Sequence, residues 1–440
     1  MSAGANVNSG SVRKPLHIAT KNGFTDIVVF LINSGADVDV QDAEGYTALH
    51  IATLTRNSNL TRLLIENRAS IDLRTKQNLT AINIAVRTEN EEIALFLIDS
   101  GADLNMRDNI GNAPLHWSAF LGHLNITRAL VKSNANINQI STNKITPLYV
   151  AVIRGKAELS NFLLESGADP NKSDRYGNSP LIVASKQGFL NLTKVLIKAS
   201  ADVNATDIHN RSALHEAAER IYSDIFVLLL KAKSDINLKD ALGQTPFHMM
   251  ILQADKWAMD VIDDAIDAGS DVNLGAILGI TPLQILIFKK MNMTYIDKII
   301  KAGADVNLRD MKGSTALSYA LNVDVHTYIP ALIAAGADPD IKNDEGFPVI
   351  MLAITSGQND KVQQLIEGGA DICFDLSGLT LLHMSSMNGN LGITKMLLNN
   401  GANPSPEESF EISPLQLALM NCFDVYLYCN DINITTVNCT

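Results

Sequence analysis

Residues 146–171 read TPLYVAVIRGKAELSNFLLESGADPN, and both ends of this stretch recur along the chain. The opening phrase places Thr or Ser before Pro or Ala, then Leu, and often His. It returns thirteen times; the first eight copies are spaced by 33 residues and the later steps range from 32 to 36. The closing phrase, Gly-Ala-Asp followed one residue later by Asn or Asp, keeps the same spacing, as at Gly35 and Gly303. A fixed period of this length predicts an array of stacked units.

The individual residues predict a pair of helices in each unit. Thr146 is a good helix N-cap, and Pro147 loses no needed hydrogen bond at the first helical position. Gly155 ends the first helix, apolar residues at helical spacing form the second, and Gly167 ends that helix. A lone unit cannot bury its apolar face, so each must stack on its neighbours.

Both phrases at this period resemble the ankyrin repeat family, and the resemblance covers nearly the whole chain. It implies an all-α fold, an ankyrin-repeat solenoid of stacked helix-turn-helix units with projecting β-hairpin loops. We expect the repeats to begin near residues 12, 45, 78, 111, 144, 177, 210, 243, 279, 313, 346, 378 and 411.

Both ends of the array depart from the pattern. Residues 1–8 read as the remnant of a preceding repeat, residues 9–421 as the array, and residues 422–440 as a degenerate last repeat with a C-terminal tail. The remnant suggests that a longer N-terminal part is missing. Within the array, three extra residues near 253–257 lengthen one repeat, and Pro348 replaces the usual cap.

The composition limits the classes of partner and the cellular compartment. The net charge of −12 disfavours nucleic acid as a partner, because an acidic chain repels phosphate. Four cysteines without a CxxC pair predict reduced thiols. With neither a signal peptide nor a membrane-spanning run in view, we expect a monomer in the cytoplasm, with the nucleus as the alternative, and no membrane insertion.

The sequence contains no complete catalytic or metal-binding motif. His215 and Glu216 resemble the start of a zinc-protease helix, but Glu219 stands where the second His is required. Six histidines occupy the same repeat position, one per repeat, and should hydrogen-bond within their own loops: His17, His50, His116, His215, His248 and His383. Asn59, Asn125 and Asn191 match the glycosylation sequon, yet helix capping explains them. We therefore predict no enzyme activity, no metal and no cofactor.

The family resemblance implies a concave binding face built from the hairpin tips and the first helices. The two positions before the end of each first helix carry six basic residues and one acidic residue, mixed with apolar side chains. We expect them, with the preceding hairpins, to contact a partner through Lys21, Leu54, Arg87, Phe120, Leu121, Ile153, Arg154, Lys186, Arg220 and Lys289, and through Lys76, Arg107, Lys144 and Arg175. An exposed apolar patch rimmed by charge suits a binding surface.

These residues predict a non-catalytic scaffold or adaptor whose second to sixth repeats hold a protein segment with acidic and apolar residues. Simple solvation of the groove by Lys and Arg is the alternative for those side chains. Two other readings of the whole chain stay open: a regulatory region of a larger enzyme, channel or toxin, or a microbial effector directed at a host.

Overall fold

The computed structural model describes residues 7–8, 14–376, 378–404, 413–414 and 416–417. The chain divides into two compact units, residues 1–235 and residues 236–440. In both, helices come in pairs, and the first helix of each pair packs beside the first helix of the next. The predicted fold class, an all-α array of stacked helix pairs, is confirmed.

The first unit contains fourteen helices within its described residues. They are α1 (Pro15–Lys21), α2 (Thr25–Asn33), α3 (Ala48–Leu54), α4 (Ser58–Glu66), α5 (Ala81–Arg87), α6 (Glu91–Asp99), α7 (Pro114–Leu121), α8 (Leu124–Lys132), α9 (Pro147–Ile153), α10 (Ala157–Glu165), α11 (Pro180–Lys186), α12 (Leu190–Lys198), α13 (Ala213–Glu219) and α14 (Ser223–Lys231).

The described part of the second unit contains ten α-helices. They are α15 (Pro246–Ile251), α16 (Met259–Asp267), α17 (Pro282–Phe288), α18 (Met293–Lys301), α19 (Ala316–Leu321), α20 (Tyr328–Ala334), α21 (Val349–Thr355), α22 (Asn359–Glu367), α23 (Leu381–Met387) and α24 (Leu391–Asn399). Two short 3-10 helices, Ala254–Lys256 and Ile277–Gly279, and one two-stranded hairpin, β1 (Asp375–Leu376) with β2 (Leu379–Thr380), complete it. The first of these 3-10 helices lies in the lengthened loop between α15 and α16, where Trp257 is buried.

The first helices begin as the sequence predicts. The Thr146 hydroxyl accepts the Tyr149 backbone N–H at 3.2 Å, and Pro147 occupies the first turn. Pro348 offers no such side-chain cap to α21. Most of the loops that follow the second helices are turns. Among the described residues, only a few of the predicted hairpin loops contain paired strands.

The core of each helix pair lies between two rows of leucine-like side chains. In the first helices, Leu49 and Leu115 are about 1% exposed, and in the second helices, Leu64 and Leu130 are fully buried. Because every pair contributes the same positions, the stacked pairs share one continuous apolar interior within each unit.

The closing phrase joins neighbouring repeats. Asp169 accepts the Asn171 backbone N–H at 2.8 Å, as is typical of an Asp in a turn. Asn138, at the fifth position of the preceding phrase, accepts the Asp169 N–H at 2.8 Å and donates to the Gly167 carbonyl at 3.3 Å. Asn273 repeats this arrangement in the second unit, with Asp305 and Gly303 as its partners.

The prediction that Asn59, Asn125 and Asn191 cap the second helices is wrong. Each is the second residue of its helix, after the N-cap. The Thr two positions later explains the recurring triplet better, because it is buried and bonds the backbone: Thr61 donates to the Asn57 carbonyl at 2.9 Å.

The expectation of reduced thiols is wrong for Cys373, which is disulfide-bonded in this structure. The absence of a CxxC pair concerns only cysteines close in sequence, so it does not exclude a disulfide. The degenerate last repeat and C-terminal tail predicted at residues 422–440 lie outside the described residues.

Candidate partner-binding surface

The predicted contact residues of the first unit lie at the ends of α1, α3, α5, α7, α9, α11 and α13, which pack side by side. We call this the inner surface. Leu54, Phe120 and Ile153 are 49%, 38% and 44% exposed, although all three are large apolar residues. Leu121 is half-buried, and the basic residues of the row, Lys21, Arg87, Arg154, Lys186 and Arg220, are exposed.

Four side chains, from α5, α7 and the C-cap residue of α9, form a continuous stack at the centre of this surface. The Arg87 guanidinium carbon lies 4.8 Å from the centroid of the Trp117 ring. Trp117 meets Phe120 edge to face, with ring centroids 5.9 Å apart, and Arg154 lies over Phe120 at 4.4 Å. Cation–π and edge-to-face contacts of this kind fix side chains that would otherwise move freely. We call these four residues the arginine–aromatic stack.

The loop before α7 holds the stack in place. The Trp117 indole N–H donates to the Asp108 carboxylate at 2.9 Å, and Asp108 is only 8% exposed. The other carboxylate oxygen of Asp108 accepts the backbone N–H groups of Ile110 and Asn112 at 3.1 and 2.9 Å. The ring orientation is therefore set by the loop as well as by the neighbouring guanidinium groups.

At the far end of the inner surface, the cations form ion pairs with a buried carboxylate. Glu216 is 1% exposed; Arg220 donates to it at 3.2 Å, and the Lys186 ammonium lies 3.7 Å away. Arg211 lies 3.6 Å from the same carboxylate and donates to Glu219 at 2.6 Å. A buried carboxylate needs such partners because desolvation of an unpaired charge is costly. Lys186 and Arg220 are thus engaged within the chain, which the sequence reasoning did not foresee.

The predicted hairpin cations are all exposed. Arg107 donates to the Ile140 carbonyl at 3.3 Å and lines a groove together with Lys144. Arg175 lies over the ring of Tyr176, the next residue, at 4.6 Å. Lys76 joins adjacent loops through its backbone, whose N–H donates to the Glu44 carbonyl at 3.0 Å.

Three predicted residues, Lys21, Leu54 and Lys289, lie away from the stack. Lys21 and Leu54 line a pocket that also contains Asp42 and Glu44, so this end of the inner surface has mixed charge. Lys289 belongs to the second unit, where its ammonium donates to the Leu252 carbonyl beside the exposed Phe288.

The repeated histidines are structural, as predicted. Nδ1 of His50 accepts the Thr47 backbone N–H at 3.1 Å, so Nε2 carries the hydrogen and donates to the Leu73 carbonyl at 3.0 Å. His116 does the same with Ala113 and Ile145. Burial lowers the pKa of His50, His116 and His248 to about 4, which keeps these rings neutral near pH 7.

Sequence reasoning missed Trp117 and the buried ion pairs of Glu216. Trp117 stands three residues before Phe120 on one helix, a spacing that places both rings on the same face, and this signal could have found it. Glu216 occupies a position that holds Ile51, Ile84 and Val183 in other repeats. A carboxylate in an apolar position could have indicated buried cation partners.

Within the described ranges, no cluster of three or more His, Cys, Asp or Glu side chains is arranged to hold a metal ion. The helices of that part of the chain also fall short of the length and apolarity needed to cross a bilayer.

A model of ankyrin repeats, built from three copies, matches residues 16–108, 100–174, 148–240, 324–408 and 350–436, well over half of the chain. The chain belongs to the ankyrin repeat family. Ankyrin repeats generally mediate contacts between proteins and are typically not catalytic. None of the curated proteins compared matches this chain.

Solved ankyrin structures resemble parts of the chain. The human ASB11 ankyrin repeat domain is 25% identical, with a TM-score of 0.44, over 51% of this chain and 99% of its own. An ankyrin repeat domain from Acinetobacter baumannii is 28% identical, with a TM-score of 0.42, over 43% and 98%. The ankyrin repeat domain of Bcl-3, a member of the IkappaB protein family, is 25% identical, with a TM-score of 0.44, over 58% and 99%. Because these TM-scores are below 0.5, the family assignment depends on the repeat match and on no single structure.

Proposed function

We propose that this protein is a non-catalytic scaffold or adaptor that holds another protein on the inner surface of its first unit. The observation that carries the proposal is the arginine–aromatic stack, in which two exposed guanidinium groups flank exposed apolar side chains. Arg and aromatic residues dominate the energetics of protein interfaces. Solvation alone explains an exposed Arg, but it does not explain the exposure of Leu54, Phe120 and Ile153 in the same row.

The surface charge favours an acidic partner segment. In the described residues, neither Arg87 nor Arg154 has a carboxylate within salt-bridge distance, so both can pair with a partner. Lys186 and Arg220 already pair with Glu216. We therefore place the main contacts on α5, α7 and α9, with the hairpin residues Arg107, Lys144 and Arg175 at the rim.

Site-specific photo-crosslinking tests the proposal. A photoreactive phenylalanine analogue at Leu54 or Ile153 lies on the inner surface, whereas the same residue at Asn59 or Asn191 lies on exposed second helices. We expect proteins captured from cells to crosslink mainly from the inner positions. Crosslinks that form equally from Asn59 and Asn191 would contradict the proposal.

Charge reversal gives a second test. Replacing Arg87 and Arg154 with Glu should release the crosslinked partner, because both guanidinium groups are exposed and have no carboxylate to leave unpaired. Lys186→Glu is a poor substitute, since it would place a new carboxylate beside the buried Glu216. Unchanged capture by the Arg87→Glu/Arg154→Glu variant would count against the inner surface.

We also propose that the protein is a monomer of the cytoplasm, with the nucleus as the alternative compartment. The disulfide at Cys373 argues the other way, because disulfides persist mainly in oxidising compartments. The location of a fluorescent fusion protein in cells distinguishes these compartments. Signal in the cytoplasm or nucleus supports the proposal, whereas signal in the secretory pathway refutes it. Light scattering of the purified chain tests the monomer.

A further inference from the structure

We propose that the arginine–aromatic stack binds an extended peptide segment in which two acidic residues flank one large apolar residue, in the pattern acidic-x-apolar-x-acidic. The inference depends on the proposed function and specifies the chemistry of the partner at the centre of the inner surface.

The length of the stack limits the spacing of the two charges. Arg87 lies 4.8 Å from Trp117, Trp117 lies 5.9 Å from Phe120, and Phe120 lies 4.4 Å from Arg154. These contacts, taken end to end, separate the two guanidinium groups by no more than about 15 Å, which an extended chain of about five residues spans. Two carboxylates four residues apart are about 13 Å apart at about 3.3 Å per residue.

The alternation of an extended chain brings the three side chains to one side. Residues i, i+2 and i+4 of a strand face the same way, so the pattern presents both carboxylates and the apolar side chain to the surface together. Phe120, which is 38% exposed, provides the apolar contact between the two arginines, and Ile153, the residue before Arg154, is 44% exposed.

The stack also prepares the two guanidinium groups for binding. Each guanidinium carbon lies over a ring, at 4.8 Å for Arg87 and 4.4 Å for Arg154, and neither group has a carboxylate partner among the described residues, so both can donate to a partner carboxylate. Because the ring contacts and the Asp108 bond already order these side chains, little rotamer entropy remains to be lost on binding.

The neighbouring cations provide an internal contrast. Lys186 and Arg220 lie on the same inner surface but hold the buried Glu216. A partner carboxylate there would have to compete with a desolvated one. The inference therefore assigns recognition to Arg87 and Arg154 and not to the whole basic row.

A phage-displayed library of random dodecapeptides, selected on the intact chain, tests the inference. We expect enriched peptides to contain acidic-x-apolar-x-acidic and to bind Arg87→Gln/Arg154→Gln at least about tenfold more weakly, since about 1.4 kcal/mol of lost pairing corresponds to that factor. The matched variant Lys132→Gln/Lys198→Gln removes two exposed cations from the last turns of the second helices α8 and α12, and it should bind them as the wild type does. Arg87→Lys keeps the charge but loses the planar stacking, so it should give an intermediate loss.

The outcomes separate this inference from the proposed function. Enriched peptides without acidic residues, or with undiminished binding to Arg87→Gln/Arg154→Gln, overturn the acidic pattern. If those peptides still lose binding to Ile153→Asp, the inner surface remains the binding site. Library selection with no enrichment over an uncoated plate overturns the inference, and the photo-crosslinking experiment then decides whether the proposed function holds. Circular dichroism of each variant shows that lost binding is not lost folding.

Discussion

Acidification should destabilise the repeats through their buried histidines. His50 and His116 are about 1% exposed, and burial lowers the pKa of each ring from 6.5 to about 4. Between about pH 6.5 and pH 4, these histidines are protonated in the unfolded chain and mostly neutral in the folded chain. The free energy of unfolding therefore falls as the pH drops toward 4. Above pH 6.5 the effect is absent.

The size of the effect follows from the shift. At pH 5 each histidine should cost about 2 kcal/mol of folding free energy, approaching about 3 kcal/mol below pH 4. His50 and His116 together should therefore remove about 4 kcal/mol from the first unit at pH 5.

The chain itself supplies the control. Gln284 occupies the histidine position of α17; its side-chain carbonyl accepts the Thr281 N–H at 2.8 Å, and its amide donates to Leu308 at 3.0 Å. Because Gln reproduces both hydrogen bonds without titrating, His50→Gln/His116→Gln should match the wild type near pH 7.5. It should be more stable than the wild type by about 4 kcal/mol at pH 5.

Hydrogen exchange detected by mass spectrometry measures the pH dependence of stability separately for each region of the chain. The free energy of opening of peptides from α3 and α7, corrected for the intrinsic pH dependence of exchange, should fall with pH in the wild type and stay nearly flat in the double variant. Parallel pH profiles for the two proteins would refute the reasoning.

Backbone geometry yields further predictions, each measured by urea unfolding. Gly111→Ala should cost more than Gly35→Ala: both have φ near +82°, but the added Cβ lies 2.5 Å from the Thr142 nitrogen in the first and meets no atom within 4 Å in the second. Equal losses would show that the close approach is unimportant. Ile221 has φ of 61°, so Ile221→Gly should stabilise by about 1 kcal/mol, and a loss of stability would contradict this. Leu64→Ala should cost about 2 to 5 kcal/mol, because the side chain is fully buried, and a cost below 1 kcal/mol would mean that the core is not shared between repeats.

The periodic part of the fold could be predicted because it depends on local chemistry. Thr146, Pro147 and Gly155 each mark the beginning or the end of a helix within a few residues, and this pattern recurs in thirteen copies. Asn138 could not be interpreted in this way, since its partner at Asp169 lies 31 residues away in the next repeat.

The surface was less predictable for the same reason. The sequence predicts that Arg87, Arg154, Lys186 and Arg220 share one row, but not that two of them stack on rings while two hold a buried carboxylate. That difference comes from Trp117 and Glu216, single departures from the repeat pattern whose effects cross from one repeat to the next. The predicted repeat boundaries remain a prediction.

The most direct test of the binding surface uses the two tryptophans of the chain. Fluorine NMR of protein labelled with 5-fluorotryptophan should give one resonance from Trp117, in the arginine–aromatic stack, and one from Trp257, buried in the second unit. Addition of a library-selected peptide should shift the Trp117 resonance and leave that of Trp257 in place. A shift of Trp257 alone, or of neither resonance at saturating peptide, would contradict the assignment of the site.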